Sequence, residues 1–181
     1  VVLPRSVQIS SAGIQVGGLT FLATQGVCEH VRVANLPWQD RFGVVWVQND
    51  FGIGSVQFSA VEALSGLVSH SSVIASTTAV APYAHADIGA VASETPQFDR
   101  GFVVSFEDDI FNAIRARRVY FNAMDQLVSP FAFNVLVDQG GIGSRYSEPA
   151  ISKCANDSDR FLIAARRTTG VGPSVRTTVA V

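Results

Sequence analysis

The stretch of residues 99–106, DRGFVVSF, decides the fold, because close copies of it occur on both sides at nearly even spacing. Residues 40–46, DRFGVVW, begin 59 positions earlier, and residues 159–165, DRFLIAA, begin 60 positions later. Self-similarity at a period of this size is typical of tandem structural repeats. The sequence therefore indicates how the chain is built before it indicates any chemistry.

A second stretch returns with a similar period. Residues 6–10, SVQIS, recur almost unchanged as residues 55–59, SVQFS, and the pattern appears again in residues 118–122 and 174–178. The alternation of side chains in these copies is typical of short β-strands. We call this stretch the marker strand, and residues 40–46, 99–106 and 159–165 the Asp-Arg strands.

The four marker strands bracket the three Asp-Arg strands, and this arrangement predicts one repeat domain over residues 1–181. Its approximate units are residues 6–54, 55–117 and 118–173, with a partial fourth at 174–181.

Each unit contains two more predicted strands, so that four short strands occupy about 60 residues. Four antiparallel strands repeated in tandem match one blade of a β-propeller. We therefore predict an all-β fold of antiparallel four-stranded blades, three blades plus one strand. The additional strands are predicted at residues 19–24 and 30–34, at 71–76 and 87–92, and at 131–137 and 149–152.

Residues 107–124 offer a helical alternative. Ile110 and Ile114 would share one face of a helix, and acidic residues precede basic ones along its dipole. The repeat favours a strand instead, because residues 114–121 occupy the register that the marker strand holds in the preceding unit. We expect a strand there, since tertiary context overrides local propensity.

Composition excludes several classes of protein. The 181 residues are 48% apolar, enough for a sizeable core, while charged residues are 15% and the net charge is −2. Such a balance makes a general nucleic-acid binder unlikely, and no run approaches the ~18 apolar residues of a membrane-spanning helix. The start at Val1, without an initiator Met or a signal-like segment, is typical of a mature end or of a piece of a longer chain.

Several stretches carry a family resemblance: residues 148–151 (EPAI), 101–106 (GFVVSF), 116–119 (ARRV) and 44–46 (VVW). With them the chain resembles the blade repeats of large bacterial secreted or surface β-propeller-like proteins. The resemblance implies a β-propeller-like fold and an extracellular or cell-surface location. It implies little about activity, because such families include binding, adhesive and enzymatic members.

The number of repeats raises a question of closure. Propellers close with typically four to eight blades, so three blades plus one strand leave two open sheet edges. Open edges recruit other strands. We expect another copy or another chain to complete the propeller, and a two-fold dimer of three-blade halves would give six blades.

Five residues are candidates for ligand binding. Trp38 and Phe98 come just before the Asp-Arg pair in the first two units, where an exposed ring can stack on a sugar or anchor a protein partner. Arg115 and Arg117 share one face of the predicted strand and, with Arg145, would form a surface for an anionic glycan. The alternatives are rings buried under the next blade and a solvated edge strand defended by charge.

Metal and catalytic sites are not indicated by any motif. His30 and His85 are expected near a common rim, but with His70 and Cys28 they follow no recognised metal spacing. Cys28 and Cys154 are expected as two half-buried thiols, with one disulfide as the alternative.

The acidic run Glu107, Asp108 and Asp109 is expected in a solvated turn, and the three Asp-Arg pairs are expected to have structural roles at turns. We therefore assign no catalytic residue, metal or cofactor.

These observations favour a non-catalytic binding or structural interaction module of an extracellular or surface assembly. The alternatives are a glycan-active hydrolase with its site at the propeller centre and a calcium-dependent glycan-binding lectin. Convergence of two carboxylates, or of two histidines and an acid, within a polar central pocket would favour the enzyme.

Overall fold

The computed structural model describes residues 5–10, 13–19, 26–36, 39–51, 53–77, 83–92, 101–122, 124–128, 135–139, 143–156, 161–170 and 176–180. These residues are almost entirely β-strand and connecting turn, so the all-β prediction is confirmed. None of the described segments forms a helix long and apolar enough to cross a membrane.

Most predicted strands correspond to described strands, which usually extend a few residues further. The strand predicted at residues 19–24 lies outside the described residues except for Leu19, and the strands at residues 13–19, 127–128 and 154–156 were not predicted. In chain order the strands are β1 (Arg5–Ser10), β2 (Gly13–Leu19), β3 (Val27–Leu36), β4 (Arg41–Asp50), β5 (Ile53–Glu62), β6 (Val68–Thr77), β7 (Tyr83–Ala92), β8 (Gly101–Asp108), β9 (Ala113–Phe121), β10 (Leu127–Val128), β11 (Val135–Gln139), β12 (Ser144–Ile151), β13 (Cys154–Asn156), β14 (Ile163–Thr169) and β15 (Arg176–Ala180). The Asp-Arg strands are β4, β8 and β14, and the marker strands are β1, β5, β9 and β15.

Three larger sheets share one internal order. The first sheet is β3-β4-β5-β6, the second contains β7-β8-β9 with β10 and β11 both paired to β9, and the third is β12-β14-β15. Each therefore runs from an opening strand to an Asp-Arg strand and then to a marker strand. The pairing is antiparallel except for β13, which runs parallel to β7, and β1 and β2 form a separate hairpin.

The sheets follow a different frame from the predicted units. The first sheet covers residues 27–77 and crosses the expected boundary between residues 54 and 55. The reason is the hairpin of β4 and β5, which pairs continuously from Arg41 with Glu62 to Asp50 with Ile53. A repeat period can be divided at any position, whereas hydrogen bonding joins each marker strand to the Asp-Arg strand before it.

The prediction of a strand in residues 107–124 is confirmed. Strand β9 pairs with β8 along its whole length, from Gly101 with Tyr120 to Asp108 with Ala113. A helix in this segment would have left the backbone N–H and C=O groups of β8 that face β9 without these hydrogen-bond partners.

One face of the second sheet is apolar and packs on the first sheet. Phe102, Val104 and Phe106 alternate along β8 and enter a core that also contains Phe58 of β5. The rings of Phe58 and Phe102 have centroids 5.4 Å apart. The strands approach closely at Gly43, where an added Cβ would lie 2.7 Å from the Ile88 and Phe102 side chains.

The opposite face of the second sheet is polar and meets the third sheet. The buried Asp87 carboxylate accepts a hydrogen bond from the Ile151 backbone N–H at 3.0 Å and pairs with Lys153. Among the described residues, a small apolar cluster of Ile114 with Tyr146 and its neighbours lies at this interface. The second sheet therefore lies between the other two and contacts each by different chemistry.

Arg41 has the cross-sheet structural role expected for the Asp-Arg pairs. Its guanidinium donates two hydrogen bonds of 2.5 Å to the Asp125 carboxylate, in the turn before β10, and lies 4.6 Å above the Phe121 ring. A bidentate pair of this kind fixes orientation as well as charge. The corresponding Arg100 and Arg160 lie outside the described residues.

The packing of the core predicts that two phenylalanines contribute very differently to the free energy of unfolding. Phe102 is 0% exposed, whereas Phe51, at the tip of the β4-β5 hairpin, is 98% exposed. We expect Phe102→Ala to lower the free energy of unfolding by about 3–5 kcal/mol and Phe51→Ala to change it by less than about 0.5 kcal/mol. Urea denaturation measures both, and similar losses in the two variants would contradict the described packing.

Candidate functional site

The opening strands of the three sheets each contain a β-bulge. The strand register breaks at residues 30–31 of β3, 84–85 of β7 and 148–149 of β12. His30 and Glu148 lie in these bulges with φ of 53° and 52°, which few non-glycine residues adopt. Bulges redirect side chains and are frequent beside functional sites.

The Glu107 carboxylate collects hydrogen bonds from two of these bulged strands. It accepts from His85 Nδ1 at 2.9 Å, from the Glu148 backbone N–H at 3.1 Å and from Arg145 Nη2 at 2.8 Å. The side chain of Glu107 is 0% exposed. Three donors thus surround a fully buried carboxylate, as a buried charge requires.

Asp109 adds a second carboxylate beside Glu107. Arg145 Nη2 also lies 2.7 Å from Asp109 Oδ1, so one guanidinium binds both acids. Burial, the hydrogen bond to Glu107 and the charge of Glu107 together raise the pKa of Asp109 to about 6, although Arg145 opposes them.

The pKa of Glu107 moves in the opposite direction. Burial raises this pKa, but the hydrogen bonds from Arg145, Asp109, the Glu148 N–H and His85 outweigh burial and bring it below its ordinary value. Below about pH 6, a protonated Asp109 beside an ionised Glu107 is therefore the favoured arrangement.

His30 extends the cluster from the second sheet to the first. Its ring centroid is 4.1 Å from that of His85, and burial followed by the charge of His85 lowers the pKa of His30. Because an ionised carboxylate can only accept, His85 donates Nδ1–H to Glu107 and, when neutral, carries its lone pair on Nε2. We call His30, His85, Glu107, Asp109 and Arg145 the Glu107 junction.

Sequence reasoning found part of this site. The expected common rim of His30 and His85 is confirmed by their ring contact. The expectation that the acidic run is a solvated turn is wrong for Glu107 and Asp108, which are buried because β8 continues to Asp108. The 59-residue repeat contained no signal for the bulges that bring the third sheet over these acids.

The three candidate arginines do not form one binding surface. Arg117 is 3% exposed and donates to the Ile74 backbone carbonyl of β6, so it faces the interior between sheets. Arg115 Nε lies 2.7 Å from Asp108 Oδ2 in an ion pair, and Arg145 belongs to the Glu107 junction.

The alternative explanation for these arginines, a solvated edge strand, is also wrong. Strand β9 lies between β8 on one side and β10 and β11 on the other. Arg115 and Arg117 are therefore held inside a sheet, where Arg115 pairs with Asp108 and Arg117 donates to the Ile74 carbonyl.

Trp38 and Phe98 lie outside the described residues. Exposed rings occur instead after the Asp-Arg strands: Phe51 is 98% exposed in the β4-β5 turn, and Phe111 is 49% exposed in the β8-β9 turn. The signal for them was an aromatic shortly after an acid at the end of two Asp-Arg strands.

Cys28 is a half-buried thiol that packs beside Val44 and Trp46, as expected. The side chain of Cys154 lies outside the described part. Within the described ranges, no three His, Cys, Asp or Glu side chains are placed to hold a metal ion.

Comparison with known proteins adds no assignment: the chain matches no protein family, and no curated protein or solved structure is significantly similar to it.

The buried carboxylate of Glu107 predicts a stability difference between two glutamates. Glu107→Gln removes the charge that three donors surround and should lower the free energy of unfolding by about 3 kcal/mol. Glu148→Gln alters a half-exposed carboxylate paired with Arg166 at 2.9 Å and should cost less than about 1 kcal/mol. Urea denaturation at pH 7 would contradict the description if Glu107→Gln were the milder change.

The raised pKa of Asp109 predicts that replacing this residue with Asn stabilises the fold in a pH-dependent way. Its folded-state pKa of about 6 lies above its ordinary value of 3.8, so ionisation opposes folding increasingly as the pH rises from about 4 to about 6. Asp109→Asn should therefore raise the melting temperature above pH 6 and leave it nearly unchanged near pH 4, because Asn mimics the protonated acid. Calorimetry between pH 4 and 8 tests this, and a gain that is equal at all pH values would contradict it.

Proposed function

We propose that the chain is a non-catalytic interaction module of an extracellular or cell-surface assembly. In this proposal its stacked sheets are part of a β-propeller that another copy or another chain completes. The supporting observation is the succession of three stacked sheets with one internal strand order. The extracellular location rests on the resemblance to bacterial surface and secreted blade repeats.

The arrangement of the opening strands fits a propeller. Strand β7 packs against β3 on one side and against β12 on the other, so the first strands of the three sheets are neighbours. In a propeller the sheets are arranged radially around a central channel, and such neighbours would line it.

Two exposed valines on the outer face of the first sheet supply a surface for a partner, beside Val44 and Trp46, which are already buried. Val33 and Val73 are 55% and 40% exposed, and strand register places them on the face that carries Val44 and Trp46, away from the second sheet. A partner sheet stacked there would bury these valines as the second sheet buries the inner face. Exposed apolar surface of this kind is typical of interaction sites.

A glycan-active hydrolase is the second candidate. Two histidines and two carboxylates converge in the Glu107 junction, and Asp109 has the raised pKa that a proton donor needs. Against it, a glycosidase needs two carboxyl groups that reach the sugar, and Glu107 has no exposed surface and three donors of its own. The non-catalytic role therefore ranks first.

A glycan-binding role needs aromatic platforms rather than a catalytic pair. Phe51 is available for stacking, and Phe111 has one ring face covered by the Arg115 guanidinium at 4.9 Å, whereas the carboxylates of the junction are already held by Arg145. A calcium-dependent lectin is disfavoured on the latter ground, because calcium requires six to eight free oxygen ligands.

Native mass tests the proposal. We expect light scattering at micromolar concentration to give at least a dimer. We expect the double substitution Val33→Thr and Val73→Thr to weaken association about tenfold or more, because association would then bury two hydroxyl groups in place of two methyl groups. Leu64→Ser, which alters an 80% exposed side chain in the β5-β6 turn, is the matched control. A monomeric mass at all concentrations would contradict completion by a second copy.

A further inference from the structure

We propose that the Glu107 junction is a proton-operated latch between the first and second sheets, which acidification opens by protonating His30 beside His85. The proposal goes beyond the interaction role and does not depend on it, because the latch lies within one chain. It begins with the position of the two rings, which are 4.1 Å apart on β3 and β7.

The backbone holds His30 in this contact. It lies in the β3 bulge with φ of 53°, so the strand is distorted at the residue that reaches the second sheet. His85 is held in turn by its 2.9 Å hydrogen bond to Glu107. Two imidazolium groups at this separation would repel each other.

The surrounding charges favour protonation of only one histidine. On β3, Glu29 favours a charged His30 while Arg32 opposes it. From β8, Glu107 faces both rings, but its charge is already shared among Arg145, the Glu148 N–H and His85. Asp109 is bound to Arg145, and the Glu148 carboxylate pairs with Arg166 of β14, so neither is available to neutralise a second imidazolium.

The sign of the pH effect follows from these positions. Burial and the charge of His85 hold the pKa of His30 below 6.5, so the unfolded or opened state binds a proton more readily. The latch is therefore complete above about pH 6.5 and weakens as the pH falls through the folded-state pKa. Asp109 titrates in the opposite sense, so total stability hides the effect and a local measurement is required.

Hydrogen exchange of β3 supplies that measurement. After correction for intrinsic exchange, we expect the amides of residues 27–36 to exchange about tenfold faster at pH 5.5 than at pH 7.5. Strand β5, which lies inside the first sheet, should change much less.

Two variants assign the effect to His30. His30→Asn removes the titrating ring and keeps a residue that tolerates positive φ, so it should reduce the acid-dependent acceleration of β3 to less than about threefold. His70→Asn is the control. The His70 ring packs on Phe121, with ring centroids 5.1 Å apart, and is not part of the Glu107 junction, so this variant should leave the acceleration unchanged. Equal acceleration in His30→Asn and the unaltered protein, or its loss in His70→Asn, would overturn the proposal.

Histidine titration of the unaltered protein gives an independent test that needs no variant. We expect the ring C–H resonances of His30 to titrate below pH 6.5 and those of His85 to respond to the protonation of His30. A His30 titration at or above 6.5, or one to which the His85 resonances do not respond, would overturn the latch even if every variant failed to fold.

Discussion

The requirement that the Glu107 carboxylate be paired where it is buried determines much of this structure. Burying an ionised carboxylate without partners costs more free energy than the net stability of a domain, so hydrogen-bond donors must surround it. They come from β7 through His85 and from β12 through Arg145 and the Glu148 N–H. The bulges in these strands are consistent with that demand, because each turns a residue out of its ladder toward the acid.

The second sheet consequently has two neighbours held by different forces. Toward the first sheet it presents phenylalanine, valine and isoleucine, and the attraction is non-directional and proportional to buried area. Toward the third sheet it presents Asp87 and Glu107, whose hydrogen bonds to the Ile151 and Glu148 backbone specify distance and direction. The apolar interface supplies cohesion, and the polar interface specifies how the third sheet is positioned.

This division explains why the Glu107 junction lies where it does. It is the place where the polar face of the second sheet meets β12, and where β3 reaches across from the apolar side through His30. Groups that titrate near neutral pH are thus placed between all three sheets. A change of protonation there acts on the contact between sheets and, through His30, on the edge strand β3.

The sequence alone determined the strands, because alternation along β4, β5 and β8 and the return of the Asp-Arg and marker strands are local or periodic properties of the chain. The repeat also predicted a strand in place of a helix at residues 107–124. The alignment with the preceding unit is stronger evidence than a helix propensity of a few tenths of a kcal/mol per residue. Only the tertiary structure decided that Glu107 is buried and Arg117 interior. Those outcomes depend on which sheet faces cover one another and on bulges of a single strand, and no spacing of residue types along the chain encodes either.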